Sequence, residues 1–181
     1  MDTHRGWTKR GYIPHYDAAD VTQHIVFRLA DSLPPGLQNR LGSATPGEGF
    51  ALADGVLDTG FGARALSDPR LAEMVETALL YFDGERYRLC AWCVMPTHVH
   101  VLATQIEGFA MERIVHGWKS FTAHRANTIL NTTGPFWAAD YYDRMIRESE
   151  DGVVGYIEHN PVKAGLCDRP TDWAWSSARR R

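Results

Sequence analysis

Residues 95–102 read MPTHVHVL, two histidines one residue apart in an otherwise apolar run. In a β-strand successive side chains point to opposite faces, so His98 and His100 share one face while Val99 and Val101 share the other. Two imidazoles at that spacing can grip one metal ion; they are also compatible with an ordinary half-exposed strand. Just upstream, YRLCAWCVM (87–95) reads as another strand. Only Pro96 and Thr97 separate the two, which predicts an antiparallel hairpin. A third strand is expected over VTQHIVFRL (21–29), with Ile25, Phe27 and Leu29 on one face and His24, Val26 and Arg28 on the other.

Helical signals fall between and after these strands. At 67–70, SDPR supplies a cap in Ser67 or Asp68 and a proline for the first turn, and Leu71, Met74, Val75, Ala78 and Leu79 then form one apolar stripe. A second helix is predicted over MERIVHGWKSFTAHRANTIL (111–130), burying Met111, Ile114, Val115, Trp118, Phe121 and Ile129. Arg113, His116, Lys119, Ser120 and His124 lie toward its other side. A third is predicted over 149–159, capped by Ser149, with Glu150 and Asp151 favoured by the helix dipole in its first turn and Pro161 ending it. DSLPPG (31–36) breaks the first strand, and 37–41 reads as a short helix. The stretch 42–62, rich in glycine and weak in periodicity, reads as a long loop or insertion. The fold expected is α+β: a mostly antiparallel sheet with helices on one face and the 149–159 helix delivered to the histidines.

The whole chain sets bounds on these readings. Its 181 residues suit one domain, 1–181, with a core of about 21–178. A hydrophobic content of 44% and a charged content of 23% are globular values. No apolar run approaches the roughly 20 residues that cross a bilayer. The start, MDTHRGWTKRGYIPHYD, has no signal-peptide core, and three cysteines make no disulfide framework, so a cytoplasmic protein without a membrane partner is expected. Net charge of −3 argues against indiscriminate nucleic-acid binding and leaves room for a local basic face. The final Ala-Arg-Arg-Arg reads as a solvated terminus. Cys90 and Cys93 form a C-x-x-C whose odd offset on a strand points them to opposite faces. With no second cysteine pair they read as core residues, not zinc ligands.

A second chemical feature is GYIEHNPVKAGL (155–166). Tyr156 and Asn160 are four apart on the third helix and project from one face about a turn from each other. Tyr156 can be a nucleophile and Asn160 a neutral oxygen ligand; alternatively the tyrosine packs in the core and the asparagine caps the helix end.

Taken together, MPTHVHVL resembles the H-hydrophobic-H motif of the single-tyrosine HUH transposases. YIEHNPVKAGL, with DYYDRMIR before it and DWAWSSA after it, is similar to the C-terminal signature of the REP-associated tyrosine transposases, relatives of insertion-sequence transposases. GWKSFTAHRAN and PFWAADYYDR fit the same run, and the resemblance spans about 21–178, weakest over 42–62. It implies a ferredoxin-like, RRM-like sheet of the HUH single-strand nuclease type. It further implies that His98, His100 and Asn160 hold Mg²⁺ or Mn²⁺ and that Tyr156 is the nucleophile. The implied substrate is single-stranded or hairpin DNA of the REP-like repeat kind, acted on by a monomer or a homodimer. Thr97 stands where the family often has asparagine or glutamate. His159 adjoins the ligand position and reads as an exposed helix-end residue.

The implied reaction is nicking and strand transfer through a 5′-phosphotyrosine, as in DNA transposition and recombination. A phenol with a pKa near 10 needs help to attack at neutral pH, and a divalent cation beside the phosphate supplies Lewis-acid charge neutralisation. Arg113, His116, Lys119, His124, Arg144 and Arg147 are the expected DNA-binding cations. Trp137, Tyr141 and Tyr142 are either stacking faces for bases or core. A hairpin-binding protein that keeps the fold without cleavage is the alternative function. A zinc hydrolase built on His98 and His100 would need an acidic third ligand, and none lies close in sequence.

Overall fold

The computed structural model describes residues 6–10, 13–37, 41, 46–147 and 149–181. Strands β1 (Gly6–Arg10) and β2 (Ile13–Asp17) form an N-terminal hairpin that the sequence reading did not identify. The chain continues through β3 (Thr22–Arg28), α1 (Pro46–Leu57), α2 (Pro69–Leu80), β4 (Tyr87–Val94), β5 (His98–Gln105), α3 (Met111–Leu130), β6 (Tyr142–Met145) and α4 (Glu150–Lys163). The strands β3 to β6 make an antiparallel sheet in the order β4-β5-β3-β6. With α2 and α3 in the crossovers this is the ferredoxin-like β-α-β-β-α-β arrangement.

The central strand β5 is buried at every position. One face, carrying Val99, Val101, Ile25, Phe27, Trp92 and Val94, packs on Leu71, Val75 and Leu79 of α2 and on Met111, Ile114, Val115 and Trp118 of α3. The other face carries His98, His100 and Leu102. Ile157 of α4 packs on it around Leu102, Ala91 and Cys93, and Ala53 and Leu57 of α1 pack around Val26 and Tyr142. Helices therefore cover both faces: the tyrosine helix reaches the histidine side as expected, and α1, expected as loop, joins it there. The reason is that the histidine face is not solvated: its imidazoles need a lid.

That lid corrects the reading of 42–62 as loop. Residues 42–45 and most of the predicted helix 37–41 lie outside the described residues, but from Pro46 the chain is a 12-residue helix. Its glycines cost helix propensity; burial of Ala53 and Leu57 against distant partners offsets that. In α3 the buried stripe is Met111, Ile114, Val115, Trp118, Thr122 and Ala126, whereas Phe121 and Ile129, expected inside, are exposed. Asp68 caps α2 by accepting from Arg70 N at 2.9 Å, and Ser149 caps α4, as the sequence indicated.

Pro161 does not end α4. The helix runs on to Lys163 and closes on Gly165, whose φ of +69° suits glycine. Leu166 N donates to Pro161 O at 2.8 Å and Gly165 N to Val162 O at 2.9 Å, the paired bonds of a Schellman end. The register shift between Leu89 and Ala91 is a β-bulge, so Cys90 packs on the same cluster as Cys93 instead of opposite it; the thiols are free.

Ile25 is fully buried between the two central helices and the sheet. Replacing it with alanine should lower unfolding stability by about 2–5 kcal/mol, measurable as a shifted urea midpoint with an unchanged slope.

Candidate active site

Three imidazoles, a carboxylate and a phenol meet on the histidine face, with a buried amide one turn from the phenol along α4. His98 and His100, both with no exposed surface, bring their Nε2 atoms to 2.9 Å. Their far nitrogens are occupied: His98 Nδ1 lies 2.9 Å from Thr97 Oγ1, and His100 Nδ1 lies 3.1 Å from His24 Nε2. Thr97 Oγ1 in turn donates to Leu57 O at the end of α1. With both Nδ1 atoms protonated and donating, both Nε2 lone pairs turn inward to the same spot.

Asn160 is completely buried, and its Nδ2 donates to Tyr156 O at 3.1 Å, one turn back along α4. That leaves Asn160 Oδ1 buried without a hydrogen-bond donor, and Asp54 Oδ1 shares this condition. Asp54 Oδ1 is 3.6 Å from His100 Nε2, and ligand atoms of Asp54, His98 and His100 all fall within 4.8 Å of one another. Two imidazole nitrogens and the orphaned Asp54 oxygen fit a divalent cation: a buried acceptor that nothing satisfies is costly unless a cation or donor completes it. The nitrogen-and-oxygen set suits Mn²⁺ and admits Mg²⁺.

Tyr156 Oη donates to Asp54 Oδ2. Burial raises the pKa of the phenol well above its ordinary value, and the bond to Asp54 with the charges of Asp54 and Asp58 adds to that; Arg144 opposes it. Burial also raises the Asp54 carboxyl, while the same tyrosine bond lowers it. The hydrogen bond thus favours neutral phenol and ionised carboxylate. Beside Tyr156 opens a cavity of about 640 Å³ lined by His24, Asp54, Arg144, Arg147 and Ser149 among others. A second cavity, about 290 Å³, reaches His98, Thr97 and Asp58 from the opposite end.

The structure brings together His98, His100 and Tyr156, buries Asn160 one turn along α4 from the tyrosine, and places Arg144 and Arg147 at the cavity beside Tyr156. It does not bring Arg113, His116, Lys119 and His124 there. They ride on α3, which packs on the valine face, so the sheet separates them from Tyr156. Lys119 Nζ donates to Ala139 O at 2.7 Å. Trp137, Tyr141 and Tyr142 are buried, with at most 7% exposure, and offer no open stacking face. His159 is exposed, as expected. At the C-terminus Arg180 pairs with Glu76 and Arg181 with Glu158, while both side chains stay 54% exposed.

Sequence reasoning missed His24 and Asp54. The alternation of 21–29 had placed His24 on the Val26 face, which is the histidine face once β3 pairs with β5. Asp54 carried no signal, being one acid among several in a glycine-rich stretch.

Comparison with known proteins bears on this geometry. Residues 65–160, more than half of the chain, match the family described as Transposase IS200 like. The chain belongs to the IS200-like transposase family. Within it the chain is similar to the REP-associated tyrosine transposase of Escherichia coli (strain K12), 30% identical over 115 residues, covering 60% of this chain and 65% of that one. It is also similar to a putative REP-associated tyrosine transposase of Haemophilus influenzae, 27% identical over 107 residues, covering 52% and 60%. The chain spans less than two thirds of the length of these relatives. Its fold matches a solved structure of a REP-associated tyrosine transposase bound to a REP hairpin, with a TM-score of 0.64 and 20% identity, over 99% of this chain and 84% of that one. His98, His100, Tyr156 and Asn160 lie inside the family-matched segment; His24 and Asp54 lie outside it.

Burial lowers the pKa of His24 to about 3, with Arg144 adding to it, and that of His98 to about 3, with Lys163 adding. Burial and the neighbouring histidines hold His100 well below its usual value. An unfolded imidazole titrates near 6.5. Below that pH the unfolded chain therefore binds protons the native chain refuses, and stability is lost as pH falls toward 3. Metal-free protein should lose up to about 1.4 kcal/mol per pH unit for each such imidazole. Urea unfolding at pH 7 and pH 5 checks this, and a midpoint unchanged or raised at pH 5 contradicts it.

Proposed function

We propose that this protein is a metal-dependent nickase and strand transferase that acts on single-stranded or foldback DNA through a 5′-phosphotyrosine at Tyr156. The observation that carries the reading is the meeting of the His98 and His100 Nε2 atoms beside the carboxylate of Asp54 that accepts from the Tyr156 phenol, with the buried, orphaned Asn160 Oδ1 one turn along the tyrosine helix. Membership in a transposase family supports it, as does fold likeness to a protein solved on a REP hairpin.

In this reading His98, His100 and Asn160 hold Mg²⁺ or Mn²⁺. When bound, the ion neutralises charge on the non-bridging oxygens of the scissile phosphate and orients it. The remaining work belongs to the chain. Arg144 and Arg147, exposed at the wider cavity, draw the strand's phosphates toward Tyr156. The phenolic proton is held against Asp54 Oδ2, which fixes the direction of the oxygen lone pairs. In the transfer the Tyr156 oxygen forms a bond to phosphorus and the bond from phosphorus to the 3′-oxygen breaks. The phenol gives up its proton and the departing 3′-oxygen takes one up. The ester conserves the bond, so a second 3′-hydroxyl can reverse the step and join DNA without a nucleotide cofactor. A stem that continues around the sheet edge would meet Arg113, His116, Lys119 and His124.

The reading treats residues 1–181 as one functional unit working in the cytoplasm. No helix among the described residues is long and apolar enough to cross a membrane.

A second reading draws on Asp54: it supplies the carboxylate that a zinc hydrolase would require. The phenol bonded to that same carboxylate has no part in such a reaction, and stoichiometric zinc in purified protein would favour it.

Incubation with Mn²⁺ or Mg²⁺ and a hairpin oligonucleotide with a single-stranded flank should give a covalent protein–DNA adduct, visible on a denaturing gel. Tyr156→Phe should give none, and the double change His98→Ala/His100→Ala should lower adduct formation at least about a hundredfold. An adduct on Tyr156→Phe removes the nucleophile assignment. Hairpin binding without adduct in any divalent metal leaves a hairpin-binding protein instead.

A further inference from the structure

We infer that Asp54 is a further metal ligand of this site and, through its other oxygen, the anchor of the nucleophile, so that one carboxylate couples the cation to Tyr156. The inference rests on the reading of His98, His100 and Tyr156 as a metal-dependent transfer site, and extends it to a helix outside the family-matched segment.

The two oxygens of Asp54 have different surroundings. Oδ2 accepts from Tyr156 Oη. Oδ1 is buried, has no donor, and faces the point where the histidine Nε2 atoms meet. Metal–ligand bonds of about 2.0–2.2 Å put neighbouring ligands about 3 Å apart and opposite ones about 4 Å apart. The spacings of 2.9 Å between the histidine nitrogens and 3.6 Å from His100 to Asp54 fall in that range. A carboxylate whose only task was to orient a phenol would leave its second oxygen to water. Here that oxygen is enclosed, which is unfavourable unless a cation completes it.

The position of Asp54 is set by the elements that carry the other ligands. The end of α1 is tied to the β4–β5 turn by Thr97 Oγ1 donating to Leu57 O. Asp58, at the end of the same helical segment, pairs with Lys163 of α4 at 2.6 Å. Ala53 and Leu57 fix the roll of α1 by packing on Val26 and Tyr142. Aspartate at this place on α1 thus lies between the histidine hairpin and the tyrosine helix, and touches both. The coupling has a mechanical consequence: binding of the ion fixes the carboxylate, and the carboxylate fixes the phenolic oxygen beside the phosphate to be attacked.

The test uses the full chain as wild type, Asp54→Ala, Asp54→Asn and His98→Ala, with MnCl₂ alone as the probe. Mn²⁺ affinity is measured by calorimetry or by the loss of free-ion EPR signal, and folding is checked by circular dichroism. Asp54→Ala should bind Mn²⁺ at least about tenfold more weakly than wild type. Asp54→Asn, which keeps the shape and fold but has one neutral oxygen for two tasks, should also bind more weakly. Single-turnover adduct formation is then measured at Mn²⁺ concentrations that saturate each variant. Asp54→Ala should remain at least about tenfold slow, because its tyrosine has lost its anchor. Wild-type Mn²⁺ affinity in Asp54→Ala, or in Asp54→Asn should the alanine variant not fold, overturns the ligand role. A wild-type rate at saturation overturns the anchor role. A wild type that binds no Mn²⁺, or a His98→Ala variant that binds it unchanged, overturns the underlying reading and this one with it. That failure is told apart because it appears without touching Asp54.

Discussion

Everything in this molecule is arranged around the cost of burying two imidazoles on the middle strand of a sheet. His98 and His100 have no exposed surface, and a polar group removed from water must find partners inside. Thr97 and His24 supply them for the outer nitrogens. The inner nitrogens are turned toward each other and toward Asp54. A strand with valines on one side and histidines on the other must be covered twice, and α1 with α4 provides the second cover. Without that cover the histidines would be ordinary half-exposed strand residues, free to titrate near neutrality.

The angle at which α4 arrives matters as much as its presence. Tyr156 and Asn160 share a face because they are one turn apart, and the helix that carries them continues past Pro161. It does so because proline φ is compatible with helix and the Schellman end satisfies the carbonyls that follow. Glu158, on the same helix, accepts from Ser177 Oγ at 2.7 Å, and Ser177 in turn bonds Trp92 on β4. At the other end of the helix Thr22 Oγ1 on β3 donates to Glu150 Oε1 at 2.7 Å, so the tyrosine helix is held to the sheet at both ends. Electrostatically Tyr156 stands between Asp54, which keeps its proton on, and Arg144, which draws toward the anion.

Much of this was legible in the sequence where the signal is local. Alternation over 21–29 and 98–104 placed the strands and sorted their faces, and Asp68 and Ser149 announced their helices. What was not legible depended on partners far along the chain. Helix α1 is glycine-rich, and its apolar positions acquire meaning only when Val26 and Tyr142 are brought to them. The bond from Tyr156 to Asp54 spans 102 residues, and no spacing rule reaches that far. The amphipathy of α3 did not show which face of the sheet it would cover, so it could not tell that its cations, expected to bind DNA, lie behind the sheet from Tyr156. The bulge that turns Cys90 to the face of Cys93 likewise leaves no mark in composition.

The C-terminal residues 173–177 carry one more implication. Trp175 O accepts from Val94 N, Ser176 bridges Cys93, Ser177 Oγ takes Trp92 N, and the Trp173 indole donates to Val94 O. Backbone groups that an outer strand would leave open are consumed from within the same chain. Two copies of this molecule can knit their sheets into one over the Trp92–Val94 end of β4 only after that tail peels away.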